Sequence, residues 1–512
     1  MVDILFGQSY YLRFDPKLWA AQQPYPPLGT LYAAAVMRQA GYSVALFDAM
    51  LAESEAEWAA ALDAHQPRFA VIYEDNFNYL SKMCLLRMRE AAFTMSAMAA
   101  ARGCVVIVAG SDASDHSAAY LRSGAHYVLL GEGEETLTQL LDRLTGRTAT
   151  PLSDIRGLAW PEGDQIESNP RRAPIADLDA LPFPAWDLVD VERYRRVWQT
   201  HHGRYSMNMV TTRGCPYHCN WCAKPIWGQR YHSRSPECVA EEMGWLKEAY
   251  RPDHIWFADD IVGLKPGWWT RFAAAVDARG AQVPFKCLSR ADLIMRNEAD
   301  VLALARAGAE IVWIGAESGS QDVLNAMEKG TTVQQIRDAT RRLHDAGVRV
   351  GFFLQFGYPG ETRDDIEATL QMVRDCRPDD IGMSVSYPLP GTKFHANVRA
   401  QLSDKQNWID SSDLDMLYQG PFSSDFYRQL HVVLHKEFRA RWALDKARQV
   451  AARPGQWRPG HLRGLGGAVA RLVTLPAARA RLDRLAAAPS VAIQPARAMP
   501  YEEAARPTPQ PE

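Results

Sequence analysis

Over the first 146 positions, short apolar runs alternate with longer stretches of helical character. The runs at 2–6, 43–47, 69–73, 104–109 and 126–129 are rich in Val, Ile, Leu and aromatic residues and predict strands. The stretches near 29–41, 55–65, 80–103, 114–123 and 134–144 predict helices. Strands alternating with helices argue for a parallel, doubly wound, Rossmann-like α/β sheet. The alternation returns over 201–395, with strands predicted at 207–211, 254–258, 284–287, 310–314, 349–356 and 382–386. The helices between them fall near 236–249, 266–279, 298–307, 332–346 and 362–374. Six βα units are too few for a closed eight-stranded barrel and fit a partial (β/α)6 barrel.

The remaining segments read differently. Residues 147–200 hold a small hairpin around Glu162-Gly163, then prolines at 170, 174, 182 and 184, and read as an extended linker. Residues 396–451 are mainly helical, notably 424–450. Residues 452–512 are a low-complexity tail rich in Ala, Arg, Pro and Gly, and the last twenty or so are expected to be disordered. Within this tail, HLRGLGGAVARLVTLPAARARLDRLAA is apolar and basic. It reads as a solvated, frayed helix, with a membrane surface or a partner as the alternative.

Composition narrows the class. A 512-residue chain with 47% hydrophobic and 23% charged residues predicts two or three soluble globular domains. The net charge of −3 gives no reason to expect nucleic acid. No apolar run has membrane-spanning length, and MVDILFGQ reads as a buried strand, not a signal peptide. Eight cysteines in this length are no disulfide scaffold; three lie close together at 215, 219 and 222. That pattern predicts a reducing, cytoplasmic setting and a metal site.

The three cysteines lie in TTRGCPYHCNWCAKP, residues 211–225, spaced CxxxCxxC. One loop with this spacing can wrap a four-iron cluster and leave one corner open. Structural zinc would want a fourth ligand; His218 lies awkwardly between Cys215 and Cys219. A passive electron-transfer cluster would want a fourth cysteine, for which Cys238 and Cys287 are the candidates. An open iron corner can hold the amino and carboxylate groups of S-adenosylmethionine (SAM).

CPYHCNWC resembles the signature of the radical SAM superfamily, including the aromatic Trp221 before the last cysteine. The resemblance implies a [4Fe–4S] cluster held by Cys215, Cys219 and Cys222, which reductively cleaves SAM to a 5′-deoxyadenosyl radical. It sets Trp221 against the adenosyl group, with loop packing as the alternative. Later landmarks follow in the family's order. FADD places Asp259 and Asp260 at the methionyl amino group; CLSRAD offers Ser289 to the ribose and Arg290 to a carboxylate. IGAESGSQDVLNAMEKGTT turns Glu317 and Ser318 to the ligand, and FGYPGET, with Gly357 and Glu361, and YPLPGTKFH complete the series.

The first half, through PPLGTLYAAAVMRQAGYSVALFDA and VLLGEGEETLTQLL, resembles the cobalamin-binding domain that precedes the barrel in one large group of these enzymes. The corrin would lie at the carboxyl ends of the strands, where Gly110, Ser111, Gly131, Glu132 and Gly133 stand. By pattern alone these are equally turn glycines. DxHxxG is absent, so that motif offers no lower cobalt ligand, and Asp112 stands where a histidine is common. The resemblance implies a cobalamin-dependent C-methyltransferase acting on a small molecule. It needs an electron donor such as flavodoxin or ferredoxin. The chain is also similar to the anaerobic magnesium-protoporphyrin monomethyl ester cyclase group, which performs oxidative ring closure. A methylthiotransferase would need three further cysteines in its first domain, where only Cys84 and Cys104 occur. A cluster- and corrin-binding sensor is the non-enzymatic alternative. The substrate is expected between the two domains, with residues 73–77, 201–202 and 387–389 as candidate lining.

Overall fold

The apolar runs of the first half become strands that are buried on both faces, as in the middle of a parallel sheet. The computed structural model describes residues 2–77, 85–222, 226–402, 407–411, 414–451 and 459–487. Strands β1 (Ile4–Gly7), β2 (Val44–Leu46), β3 (Phe69–Tyr73), β4 (Val105–Ala109) and β5 (Tyr127–Leu129) pair in parallel in the order β2-β1-β3-β4-β5. This order reverses direction at β1, so a crevice opens at the carboxyl ends of the strands. Cys84, and the start of the helix expected at 80–103, lie outside the described residues; the described part of that helix is Leu86–Ala100.

The stretch read as a linker carries more structure than its prolines suggest. Strands β6 (Leu158–Glu162) and β7 (Gln165–Ser168) form a hairpin that adds antiparallel to β5, giving the first sheet seven strands. A helix, Val191–His202, follows, with Asp190 as its N-cap and Gly203 closing it in the left-handed conformation.

The second sheet has six strands, all parallel: β8 (Ser206–Met209), β11 (His254–Phe257), β12 (Phe285–Ser289), β13 (Ala309–Glu317), β14 (Arg349–Phe356) and β15 (Asp380–Val385), ordered β15-β14-β13-β12-β11-β8. A two-stranded ribbon, β9 (Thr212–Arg213) with β10 (His232–Ser233), closes the cysteine loop at its base. One face of the six-stranded sheet, with Val312, Ile314, Val350 and Phe352, packs in the core with helix residues such as Ile336, Leu343 and Ile366. The other face is the concave interior of the partial barrel.

The tail also departs from expectation. The helix Ser424–Ala451 continues, after an undescribed stretch, into a second helix, Pro459–Ala487, despite Pro476 within it. The two pack together: Gln429 Nε2 donates to the Ala478 carbonyl at 2.9 Å, and Ala468 and Leu482 are fully buried. The second helix is thus docked rather than solvated all round, because its small residues allow close approach. Residues 488–512, where disorder was expected, lie outside the described residues. Among the described residues, no helix is long and apolar enough to cross a membrane.

A buried ionic clamp joins the two sheets. Arg213 of β9 pairs with Glu132 and, at 2.8 Å, with Glu134, both on the turn after β5. All three side chains are at most 5% exposed. The guanidinium lies 5.7 Å from the ring centroids of Tyr32 and Phe77. Burial pushes the Glu132 carboxyl upward and Arg213 opposes that shift. Removing the cation leaves two uncompensated carboxylates, so Arg213→Met is expected to cost about 3–5 kcal/mol. Adding Glu132→Gln and Glu134→Gln to the same chain should recover much of this, because the stranded charges go with them. Thermal unfolding midpoints of the single and triple variants check both statements.

Candidate functional site

The cysteine loop leaves β8 at the carboxyl end of the barrel, and its entry is fixed by a single carboxylate. Asp259 Oδ1 accepts from the backbone N–H groups of Thr211 (2.8 Å) and Thr212 (2.6 Å). The hydroxyls of both threonines donate to the same side chain, at 3.1 and 2.8 Å. Burial raises the Asp259 pKa to about 6, against the opposing pull of these donors. Asp259 therefore anchors the loop, and Asp260 beside it is the carboxylate left nearer the surface. Gly214 follows at φ 78°, and a Cβ there would lie 2.3 Å from the Arg230 carbonyl, so the turn before Cys215 requires glycine.

Between the second and third cysteines, Asn220 fastens the loop to three other segments. Its Nδ2 donates to the Ala326 carbonyl (2.7 Å) and its backbone N–H to Met327 O (3.1 Å). Tyr358 O–H donates to Asn220 Oδ1 at 3.0 Å, and Phe394 N–H to its carbonyl at 2.9 Å. The sequence gave no reason to single out Asn220, although a polar residue beside an aromatic inside a metal loop is a usable signal.

The thiols of Cys215, Cys219 and Cys222 are in no disulfide. Among the described residues, no three His, Cys, Asp or Glu side chains converge on one metal ion. Two cations stand on the Cys219 side of the loop. Arg290 Nη1 lies 3.7 Å from Cys219 Sγ, its Nη2 donates to Lys329 O at 2.7 Å, and its guanidinium stacks 3.6 Å over Tyr217. Its carboxylate partner is Asp292, at 2.8 Å. Lys329 pairs with Glu317 at 2.8 Å and stands 6.0 Å from the Trp221 ring centroid. Lys329 was not picked out from the sequence.

Glu317 adopts φ 57°, a conformation non-glycine residues take at a cost of about 1–3 kcal/mol. A register shift between Gly315 and Glu317 accompanies it and turns the carboxylate toward Lys329. The structure thus gathers Cys219, Trp221, Arg290 and Glu317 at one mouth. Ser289 and Ser318 are not part of it. Ser289 is in register with Ile314, on the helix-packed face, and Ser318 is fully buried with its Oγ 3.2 Å from Thr369 Oγ1. Gly357 is held from both sides: its N–H donates to Glu361 at 2.6 Å, and its carbonyl accepts from Tyr418. Burial lifts the Glu361 pKa to about 8.

At the first sheet, a Cβ on Gly110 or Gly133 would meet Glu74 or Tyr73 at 2.8 Å, so these glycines serve close packing. Gly131 has φ 85°, which favours glycine, and a Cβ there would make ordinary contact with Arg171 Cδ and the Ile226 carbonyl at 3.8 Å. Ser111 is buried, and Asp112, where a histidine is common, is bound by Arg89 (2.6 and 2.7 Å) and by Tyr120 O–H (2.7 Å).

Residues 209–373 match the family model described as the radical SAM superfamily. An uncharacterized methyltransferase of Pyrococcus horikoshii is 30% identical over 292 residues, covering 56% of this chain and 61% of the relative. The anaerobic magnesium-protoporphyrin IX monomethyl ester cyclase of Synechocystis is 26% identical over 330 residues, 63% of each chain. The chain thus spans less than two thirds of the length of these relatives. Among solved structures, the radical SAM methyltransferase TsrM of Kitasatospora setae, with cobalamin and a [4Fe–4S] cluster bound, superposes with a TM-score of 0.63. It covers 77% of this chain and 74% of its own at 18% identity, which shows the shared fold.

Asp259→Ala should lower the unfolding midpoint and loosen the cysteine loop, whereas Asp259→Asn, still an acceptor for both N–H groups, should lose much less. Burial keeps Glu361 neutral in the folded chain up to pH about 8, whereas in the unfolded chain it ionises near the ordinary carboxyl value of 4.5. It therefore withdraws stability as pH rises from 4.5 to about 8, and no further above that. Glu361→Gln should gain on the parent across that window and hold a constant advantage beyond it, read from melting curves against pH.

Proposed function

We propose, from the radical SAM domain that residues 209–373 form, that this chain is a cobalamin-dependent radical SAM enzyme that transfers a methyl group to carbon of a small-molecule substrate. The observation that carries the reading is the join between two cradles. Arg213, two residues before Cys215, is ion-paired with Glu132 and Glu134 at the carboxyl end of the first sheet. The turn offered to a corrin and the loop offered to a cluster are thus fixed to each other through buried charge. The methyltransferase relative and the fold shared with TsrM support the same reading.

Cys215, Cys219 and Cys222 would hold the cluster, and the turn carrying Gly131 together with Ser111 would face the corrin. When bound, the cluster supplies the electron that cleaves SAM, and cobalamin supplies the methyl group. The protein's own residues do the positioning. Arg290 and Lys329 place two positive charges on the Cys219 side of the loop, where they would offset the negative charge of thiolate ligands around a cluster. Asp260 and Glu317 are the carboxylates available to an ammonium group at the mouth. Trp221 presents a ring beside Lys329, suited to an adenosyl face. Asn220 and Asp259 hold the loop rigid, and rigidity keeps a reactive species aimed at one target. The electron donor is proposed to be a small carrier of the flavodoxin or ferredoxin class, and the setting a reducing cytoplasm.

Substitution of Cys215, Cys219 or Cys222 by Ala should each drop iron in the reconstituted protein from about four per chain to near zero. Cys376→Ala should leave it unchanged. An iron content that stays near four in any of the first three would refute the ligand assignment. Anaerobic reduction with SAM should yield 5′-deoxyadenosine, and a fully reconstituted chain that yields none would exclude the enzyme reading. In the product, gain of one methylene marks methyl transfer; loss of two hydrogens marks the oxidative ring closure named for the Synechocystis relative.

A further inference from the structure

Below the cofactor mouth, the concave face of the barrel is organised in rows by strand register. Asn208, Trp256, Lys286, Ile311 and Arg349 form the lowest row. Above it stand Leu288, Trp313, Gly351 and Asp380, then Gly315, Phe353 and Gly382, then Gln355 and Ser384. The lowest row mixes polar and apolar side chains and the highest is polar; between them the wall is apolar or glycine except for Asp380 at the β15 edge.

The middle rows are shaped by what is missing from the backbone. A Cβ on Gly351 would lie 2.4 Å from the Trp313 ring, so the indole lies down across β14 only because position 351 has no side chain. Gly382 leaves Phe353 and Trp313 uncovered from the β15 side, with a Cβ there only 3.4–3.6 Å from both rings. The two rings stack at 4.6 Å with an interplanar angle of 29°. Phe353 is nevertheless 39% exposed, on an inward position of a central strand. Such a ring in a barrel interior is ordinarily covered.

Two further observations indicate what the wall would accept. At the next inward position of β14, Gln355 is 3% exposed and its Oε1 has no hydrogen-bond partner. A buried acceptor left unpaired is costly unless a ligand or water supplies the donor. The wall is also continuous with the cofactor mouth. The space above Gly315, in register with Phe353, is filled by Glu317 Oε1 and Lys329 Nζ, each 2.6 Å from where its Cβ would be.

We propose that Phe353 and Trp313 form the substrate platform, and that the substrate is a flat, apolar ring system carrying a hydroxyl or N–H donor. The ring lies against the exposed face of Phe353, and its donor meets Gln355 Oε1. This placement rests on the functional reading above. It sets the reacting carbon directly beneath the Glu317–Lys329 pair. Aromatic stacking supplies affinity, and the single amide sets which edge of the ring points upward.

The test uses 1-naphthol as a neutral planar probe, titrated by anaerobic calorimetry into the cluster-loaded full chain, with naphthalene and 1-octanol for comparison. Saturable binding of one 1-naphthol per chain is expected. Phe353→Ser, at an exposed position, should weaken it about tenfold, and Gly382→Leu, which shields the ring without removing it, should do the same. Gln355→Leu should abolish the preference for 1-naphthol over naphthalene while leaving naphthalene affinity within about twofold. Iron content and melting midpoint verify that each variant is folded and loaded. Affinity unchanged in both Phe353→Ser and Gly382→Leu would overturn the platform, and equal affinity for 1-octanol would overturn the flat-ring assignment. The titration involves no turnover. Ring binding without SAM cleavage would sink the functional reading and leave this platform standing, and cleavage without ring binding would do the reverse.

Discussion

One buried guanidinium fixes the arrangement of this molecule. Arg213 neutralises part of the charge on Glu132 and Glu134 at a point water does not reach. A salt bridge in that position adds little net stability over an apolar contact, but its geometry is strict, because any slippage strands a charge in low dielectric. The contact therefore acts more as a registration device than as glue. It holds the turn after β5 against the strand that leads into the cysteine loop, and so fixes the spacing of whatever the two turns carry.

The mouth of the barrel is governed by a different electrostatic problem. Two cations, Arg290 and Lys329, stand together there, with Arg290 Nη1 3.7 Å from Cys219 Sγ, and each is neutralised by its own carboxylate, Asp292 and Glu317. The positive φ at Glu317 coincides with a register shift in β13, and its carboxylate meets Lys329 above Gly315. Strain here is local and is held in place by the register shift in β13.

Much of this was legible in the chain. The cysteine spacing, the six parallel strands and the first five strands all followed from periodicity and residue type, because buried parallel strands are nearly continuous apolar runs. What was not legible depends on contacts distant in sequence. Asp259 read as a ligand contact, yet it serves Thr211 and Thr212, and only the folded sheet shows that these donors are adjacent. Ser289 and Ser318 sat beside the right motifs but fall on the wrong side, since a strand alternates faces with every residue. Asn220 and Lys329 lie within quoted motifs but were not singled out there, and their roles come from the segments they meet. The hairpin around Glu162-Gly163 was legible, but the helix Val191–His202 after it was not, because the prolines at 182 and 184 just before it read as extended chain.

The six-stranded sheet does not close on itself, so its two edges, β8 and β15, need cover. At the β8 edge the cover comes from the first half of the chain: Asn208 Nδ2 donates to the Pro26 carbonyl at 3.0 Å, Tyr25 O–H meets Ser206 Oγ at 3.0 Å, and Trp198 Nε1 reaches Pro24 O at 2.7 Å. At the β15 side it comes from the end of the chain, where Tyr418 bonds the Gly357 carbonyl and Tyr387 packs on Trp408 at 4.6 Å. Trp408 O in turn accepts from Leu86 N–H of the first half, at 2.8 Å. The two covers are therefore linked to each other through the domain that lies over the mouth. An incomplete barrel leaves an aperture that a closed one would fill with its own side chains, and the exposed face of Phe353 looks into that space. Incompleteness is what gives this scaffold room for a substrate inside the sheet, and the price is dependence on both ends of the chain to keep water out.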